Sequence, residues 1–245
     1  MISTNQLSKN FSGLAAVHRL HLQVDAGAIY GFLGPNGAGK TTSLRMLMGL
    51  ERPTEGTATI AGLDCHKESL ALKRLIGYLP DVPIFPRFLK GREVLEMAAE
   101  LHGQTRAQAR LRAAELIDWL GLREAAEQYT ENYSIGMLKR LGLSCAVVHD
   151  PQVLLLDEPT NGLDPYATRL VCDWVQEQSQ RGKTIVLSTH QLDVAERVCT
   201  HVGIIHKGQL LAQGTLASLR EQTGAQRLED IFFALTMDPA QVDHA

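Results

Sequence analysis

The chain has 245 residues, 44% hydrophobic, 21% charged and 5% aromatic, the composition of one large globular α/β domain or two small ones. Disordered, collagen-like and disulfide-scaffold chains are excluded. With 24 Lys+Arg against 27 Asp+Glu the formal charge is -3, so no global positive field exists to hold a nucleic acid or an anionic membrane.

Met1 to Asn10 is polar and lacks the apolar centre of a signal peptide. Leu20, Leu22 and Val24 alternate with His21 and Gln23, the period of a half-buried strand, and Ala28 to Leu33 reads as a second strand. The glycine-rich run Gly34 to Gly39 leads into a helix at Lys40, with Leu44, Leu47 and Met48 on one face and a stop at Gly49 to Pro53. From Glu93 to about Arg123, Leu111, Ala114, Leu116, Trp119 and Leu120 keep helical spacing, interrupted by Gly103 and Gly121, which predicts a helical insert. A helix from Gly136 to His149 feeds the apolar run Val153 to Leu156, which is too short for a helix and reads as a buried parallel strand.

Asp164-Pro165 caps the next helix, which buries Leu170, Val171, Trp174 and Val175. Strand Thr184 to Ser188, helix Leu192 to Val198 and strand His201 to Ile205 continue the alternation. A short Leu210 to Ala212 strand then precedes an amphipathic segment with Leu228, Ile231, Phe232 and Leu235. The pattern predicts a mainly parallel sheet with helices on both faces. Nowhere do about 18 apolar residues run together, so no membrane crossing is expected. The four cysteines, Cys65, Cys145, Cys172 and Cys199, form no C-x-x-C pair and read as buried thiols of a reducing cytoplasm. Cys145 and His149, four apart, read as packing rather than as a metal site.

Gly34-Pro35-Asn36-Gly37-Ala38-Gly39-Lys40-Thr41-Thr42 satisfies G-x-x-x-x-G-K-[ST]. Glycines let consecutive amide hydrogens turn inward, and the helix start behind them adds roughly half a positive charge. Lys40 is placed to reach β- and γ-phosphates, and the Thr41 hydroxyl to ligate magnesium. Val153-Leu154-Leu155-Leu156-Asp157-Glu158 supplies the second half: an apolar strand ending in two acids. Asp157 is expected to hold magnesium through its water shell, and Glu158 to take a proton from an attacking water. Uncompensated charges are costly beside a buried strand, and open α/β sheets bind ligands at that edge.

These motifs make the chain resemble the ATP-binding subunit of an ABC transporter, from Leu7 to about Gly214. Tyr133-Ser134-Ile135-Gly136-Met137 resembles the signature loop, Asn161-Gly162-Leu163-Asp164 the D-loop, and Ser188-Thr189-His190 the switch histidine. The resemblance implies a P-loop NTPase core with an amino-terminal antiparallel β portion, and a helical insert over about 82–148 that carries the signature loop. The ATPase domain would span 1–214, followed by a short extension over 215–245.

The resemblance also assigns roles. Phe11 would stack on adenine, with the alternative that it is a core residue of the first strand pair, and Val17 would be an apolar neighbour of the base. Asn36, Gly37, Ala38, Gly39, Lys40, Thr41 and Thr42 would wrap the phosphates. His190 would bond the γ-phosphate and hold water against Glu158. Ser134 and Gly136 would cover ATP held by a second subunit, with Asp164 nearby, so a homodimer around two ATP molecules is implied. Magnesium would be held by Thr41, Asp157 and Asp81.

Asp81 is a departure, because the family usually has Gln there, and aspartate is shorter, charged and accepts only. Ile135 and Met137 depart as well, standing where Gly and Gln are usual. The Tyr-Ser-x-Gly-Met form looks like the branch paired with separate export permeases. The apolar stretch from Asp81 to His102, with Val82, Ile84, Phe85, Phe88 and Leu89, either caps the insert or receives a permease helix. The implied protein is a motor bound to polytopic membrane permease subunits, peripheral on the cytoplasmic side of the plasma (inner) membrane, with no nucleic-acid partner. Alternatives are a soluble ABC ATPase of DNA repair or ribosomes, and a regulatory module that uses ATP as a dimerisation switch.

Overall fold

The polar start of the chain is a strand whose alternate residues are buried. In the computed structural model, which describes residues 1–237, β1 (Ile2–Phe11) buries Ile2, Thr4 and Leu7 and turns Ser3 and Asn5 outward. It pairs antiparallel with β2 (Leu14–Leu20) and β3 (Gln23–Val24). The single strand expected over Leu20 to Val24 is therefore interrupted. Thr4 takes over the break: its hydroxyl donates to the Leu20 carbonyl at 2.8 Å and accepts from the Leu22 amide at 2.7 Å. The buried alternation of Leu20, Leu22 and Val24 survives because those side chains still reach the core.

β4 (Ile29–Leu33) is buried at every residue and runs into α1 (Lys40–Leu47) through the glycine loop. β5 (Glu55–Ile60) and β6 (Leu63–Asp64) complete an antiparallel sheet of order β2-β1-β5-β6. After α2 (Ser69–Leu75) and β7 (Ile76–Leu79) comes the insert of α3 (Gly91–Leu101), α4 (Arg106–Trp119) and α5 (Ile135–Val147). Then β8 (Val153–Asp157), α6 (Pro165–Gln180), β9 (Thr184–Thr189), α7 (Leu192–Val198) and β10 (His201–His206) alternate as the sequence predicts. β11 (Gln209–Thr215) is longer than expected and pairs antiparallel with β10, while α8 (Leu216–Thr223), capped by Thr215 and ended at Gly224, is an element that the sequence pattern above does not predict. α9 (Leu228–Thr236) is the expected amphipathic segment; Leu219, Leu228 and Ile231 are wholly buried in the same core as the insert.

The second sheet has the order β11-β10-β4-β9-β8-β7 and is parallel except at β11. Its strands alternate between two cores. Ile29 and Leu33 of β4, with Leu154 and Leu156 of β8, face the insert; Tyr30, Phe32, Val153 and Leu155 face the antiparallel sheet. Burial on both faces explains the continuous apolar runs.

α5 lies directly on β7. A Cβ on Gly77 would stand 1.9 Å from the Ala146 carbonyl oxygen, and one on Gly142 would stand 2.8 Å from Leu79 Cδ1. Ala146 on Gly77, then Gly142 on Leu79, means that the helix runs antiparallel to the strand. At the far end, His149 Nε2 lies 3.2 Å from the Ile76 carbonyl, which only accepts, so this nitrogen carries the proton.

Candidate active site

The glycine loop is held open by backbone that only glycine tolerates. Gly39 has φ 104°, and a Cβ there would lie 2.4 Å from the Ala16 carbonyl; a Cβ on Gly34 would lie 2.3 Å from the Ile205 carbonyl. Asn36, Gly37, Ala38, Gly39, Lys40, Thr41 and Thr42 line a cleft of about 240 Å³ with Ala16, Pro35, Asp81 and Glu158. Its floor is the start of α1, so loop amides and the helix dipole favour an anion.

Sheet order brings the other half to this cleft. β9 lies between β4 and β8, and Asp157 is registered with Ser188 while Leu33 is registered with Thr189. The residues that follow these three strands are therefore neighbours: Lys40 after β4, Glu158 after β8 and His190 after β9. Lys40 Nζ donates to the Gly34 carbonyl at 2.6 Å and lies 3.3 Å from Glu158 Oε1. His190 Nδ1 lies 3.0 Å from Glu158 Oε2. Glu158 is 6% exposed and takes the left-handed φ of 48°, a strained conformation of the kind that collects at functional sites. Its amide fixes the turn by donating to the Ser188 carbonyl and Oγ, both at 3.1 Å.

Asp157 is wholly buried and accepts a hydrogen bond from Ser188 Oγ. Burial pushes its carboxyl above the ordinary range, opposed by the hydroxyls of Ser188 and Thr41. Its Oδ2 is buried and has no hydrogen-bond partner among the described residues. Leaving a buried carboxylate oxygen bare is costly unless a cation completes it. Among the described residues no group of three or more His, Cys, Asp or Glu forms a metal cage. One carboxylate and one hydroxyl beside a phosphate cleft are the donor set that suits magnesium, which keeps waters and takes the rest of its ligands from phosphates.

Asp81 reaches the edge of the cleft, but its carboxylate is already engaged. Lys139 Nζ lies 3.3 Å from Asp81 Oδ1 and also donates to the Asp81 carbonyl, and Asn161 Nδ2 donates to the same Oδ1 at 3.4 Å. Sequence reading passes over Lys139 because a lysine in an amphipathic helix reads as solvated; only its 58-residue-distant partner reveals it. Ser188 stands in the strand-end triplet, yet only its register with Asp157 gives it a role.

Ser134 and Gly136 are not among the residues lining the cleft. Ser134 is exposed and caps α5, accepting from the Met137 amide at 3.3 Å. Asp164 likewise stays outside, with Oδ1 capping α6 through the Ala167 amide at 2.9 Å. The two loops touch each other: Ile135 Cγ2 would be 3.1 Å from a Cβ on Gly162.

Phe11 sits at the tip of the β1–β2 hairpin, 44% exposed, with Lys9 Nζ 4.9 Å from its ring centroid. It is not a core residue. The expectation for Val17 needs correction: Val17 is wholly buried behind the loop, and Ala16 is the residue that lines the cleft. Neighbouring strand residues face opposite ways, so the expectation is off by one.

The ABC transporter family model matches residues 17–161. The chain is 41% identical to the daunorubicin/doxorubicin resistance ATP-binding protein of Streptomyces peucetius, over 93% of this chain and 69% of that protein. It is 39% identical to the bacitracin transport ATP-binding protein of Bacillus licheniformis, over 87% of this chain and 69% of that one. A solved ATP-binding subunit of an ABC transporter superposes with TM-score 0.89 at 30% identity, covering 97% of this chain and all of that one (100%). A bacterial ABC transporter cassette solved as a dimer shares the fold, with TM-score 0.82 at 23% identity over 88% of this chain and 99% of that one.

Proposed function

The chain belongs to the ABC transporter ATP-binding family, and from that premise we propose that its cleft hydrolyses ATP with Lys40, Glu158 and His190 as the working side chains. The observation that carries this reading is the Glu158 carboxylate, held between the Lys40 ammonium at 3.3 Å and the His190 ring at 3.0 Å. The amides of Asn36 to Thr42 wrap the phosphates of the substrate, and Lys40 exchanges its loop carbonyls for β- and γ-phosphate oxygens. Glu158 accepts the proton of the attacking water, while His190 holds that water and the γ-phosphate in line. Thr41 and Asp157 would hold magnesium, which would supply positive charge to offset that of the phosphates. Positioning and charge stabilisation of this kind are most of phosphoryl-transfer catalysis.

Phe11, exposed at its hairpin tip, stacks on the adenine. Ser134 and Gly136 face outward and serve the ATP of a second copy, with Asp164 beside them, so that two chains enclose two nucleotides. The core over 1–214 is the motor; of the extension over 215–245, α8 and α9 complete its packing, and 238–245 lie outside the described residues. Among the described residues no helix is long and apolar enough to cross a membrane. Transport runs through polytopic permease subunits, with this chain peripheral on the cytoplasmic face, a reading supported by the resistance and transport names of its relatives. The resistance and antibiotic-transport names of its relatives favour export. Val82, Ile84 and Phe88 are 69%, 87% and 75% exposed and form the face offered to the permease.

Magnesium-dependent ATP turnover by the purified chain, lost in Lys40→Ala, tests the motor; turnover that survives this change would remove Lys40 from the chemistry. Recovery of a polytopic membrane protein with the chain from detergent extracts tests the assembly, and its absence would favour a soluble role.

A further inference from the structure

Lys139 is a charged side chain that the proposed chemistry does not use. It is 2% exposed, projects from α5, and all of its donors are engaged. Nζ donates to the Asp81 carbonyl, faces Asp81 Oδ1 at 3.3 Å, and donates to the Glu158 carbonyl at 2.8 Å. One ammonium thus joins three parts of the fold: the helix that starts at the signature loop, the segment leaving β7, and the strained turn that presents the catalytic carboxylate. Burial draws the Lys139 ammonium below its ordinary range, and Asp81 pulls it back.

An isolated buried ammonium is costly, and a paired acid offsets that cost. Asp81 supplies that acid. The same carboxylate accepts from Asn161 Nδ2, whose own backbone amide donates to the Glu158 carbonyl at 3.2 Å. The Glu158 turn is therefore gripped twice, by Lys139 and by Asn161, and Asp81 holds both grips.

We propose that Lys139 is a positioning residue which, with Asp81, clamps the carbonyl of Glu158 to α5, so that a shift of the segment after β7 or of the signature helix is passed directly to the catalytic carboxylate. The proposal rests on the hydrolytic role of Glu158 given above. It also gives Asp81 a specific duty: the carboxylate serves the lysine, and an uncharged residue at 81 would leave Lys139 buried without a counter-charge.

The test is steady-state turnover of magnesium-ATP by the full chain, with bound ATP per folded chain and thermal unfolding measured in parallel. Lys139→Met keeps the apolar stem and removes the donors. It is expected to lower kcat about tenfold or more, leaving KM for ATP and the binding stoichiometry within about threefold, because the clamp acts on Glu158 and not on the phosphate loop. Asp81→Gln alone should give a similar loss. Asp81→Gln with Lys139→Gln, which replaces the ion pair by two amides, should recover at least about fivefold over Lys139→Gln alone.

Native kcat in Lys139→Met would overturn the proposal, as would a double variant whose loss is the product of the two single losses. A fall in bound ATP matching the fall in kcat would reduce Lys139 to a structural residue and overturn it too. Should Lys139→Met fail to fold, Asp81→Asn decides by the same split between kcat and KM. Absence of turnover in the native chain would instead defeat the hydrolytic reading itself, so the two failures are distinguishable.

Discussion

The starts of α1 and α5 differ in everything that surrounds them. The start of α1 faces a wall of strand ends, with Glu158, Asp157 and Ser188 at their tips and Lys40 folded back over the loop. The start of α5 is exposed, its Ser134 hydroxyl is turned to its own helix, and Ile135 is 73% exposed. Both ends carry the same dipole and the same supply of amides. What sets the proposed reaction site apart is the neighbourhood that sheet order delivers. The other has amides, and the lysine of its own helix, Lys139, is turned away to the Asp81 and Glu158 carbonyls.

The sharpest way to break this comparison is at Glu158. Glu158→Gln keeps shape and loses the base, and turnover is expected to fall on the order of a hundred to ten thousand-fold with ATP binding retained. Loss of ATP binding in that variant, followed by equilibrium titration, would show that the carboxylate holds the loop rather than the water.

The exposed helix start is probed next. Ser134→Arg should leave ATP binding to the α1 loop intact and abolish turnover, because the covering amides are blocked. Mixing it with Lys40→Ala should restore about a quarter of native turnover, since half of the dimers are mixed and each contains one intact composite site. No restoration would mean that the two helix starts do not meet across chains.

A smaller effect is expected at Phe11. If its ring stacks on the base, Phe11→Ala should raise KM for ATP about tenfold and leave kcat nearly unchanged, in keeping with a stacking contribution of about 1 to 3 kcal/mol.

The mildest test uses pH. Burial holds the His149 ring down to about 4 from 6.5, with His102 stacked on it at 3.6 Å, and Lys183 and Asp150 acting on it more weakly. As pH falls, the unfolded chain takes up this proton first. The stability is intact above pH 6.5 and is lost progressively toward pH 4. Corrected for the intrinsic exchange rate, which itself falls with pH, protection along α5 should drop between pH 7 and pH 5 before it does along α1, and His149→Leu should remove the difference.

Much of the α1 neighbourhood is legible in the amino-acid sequence alone. A strand, a glycine loop and a lysine at the helix start form a local pattern, and so does an apolar strand ending in Asp157-Glu158. Asp164-Pro165 marks its helix correctly because a side-chain cap and a preset φ are properties of adjacent residues. What escapes is non-local or depends on parity. Arg19, at φ 45°, bulges β2 and shifts which residues face inward, so Val17 is buried and Ala16 lines the cleft. Lys139 acquires its place only through the pairing of β7 with β8, which brings Asp81 and Glu158 to it.

The seating of α5 on β7 bears on how this protein could be recombined with its relatives. The helix is joined to the strand and its continuation at Gly77, Leu79 and Asp81, through a bare backbone contact, a packed glycine and an ion pair. A chimera that exchanged only the helical insert would part Gly77 from Ala146 and Asp81 from Lys139 in one cut. The smallest interchangeable cassette therefore starts with the strand, at Ile76, and ends past the helix at His149. Parts taken from a relative will fit only if that seam travels with them.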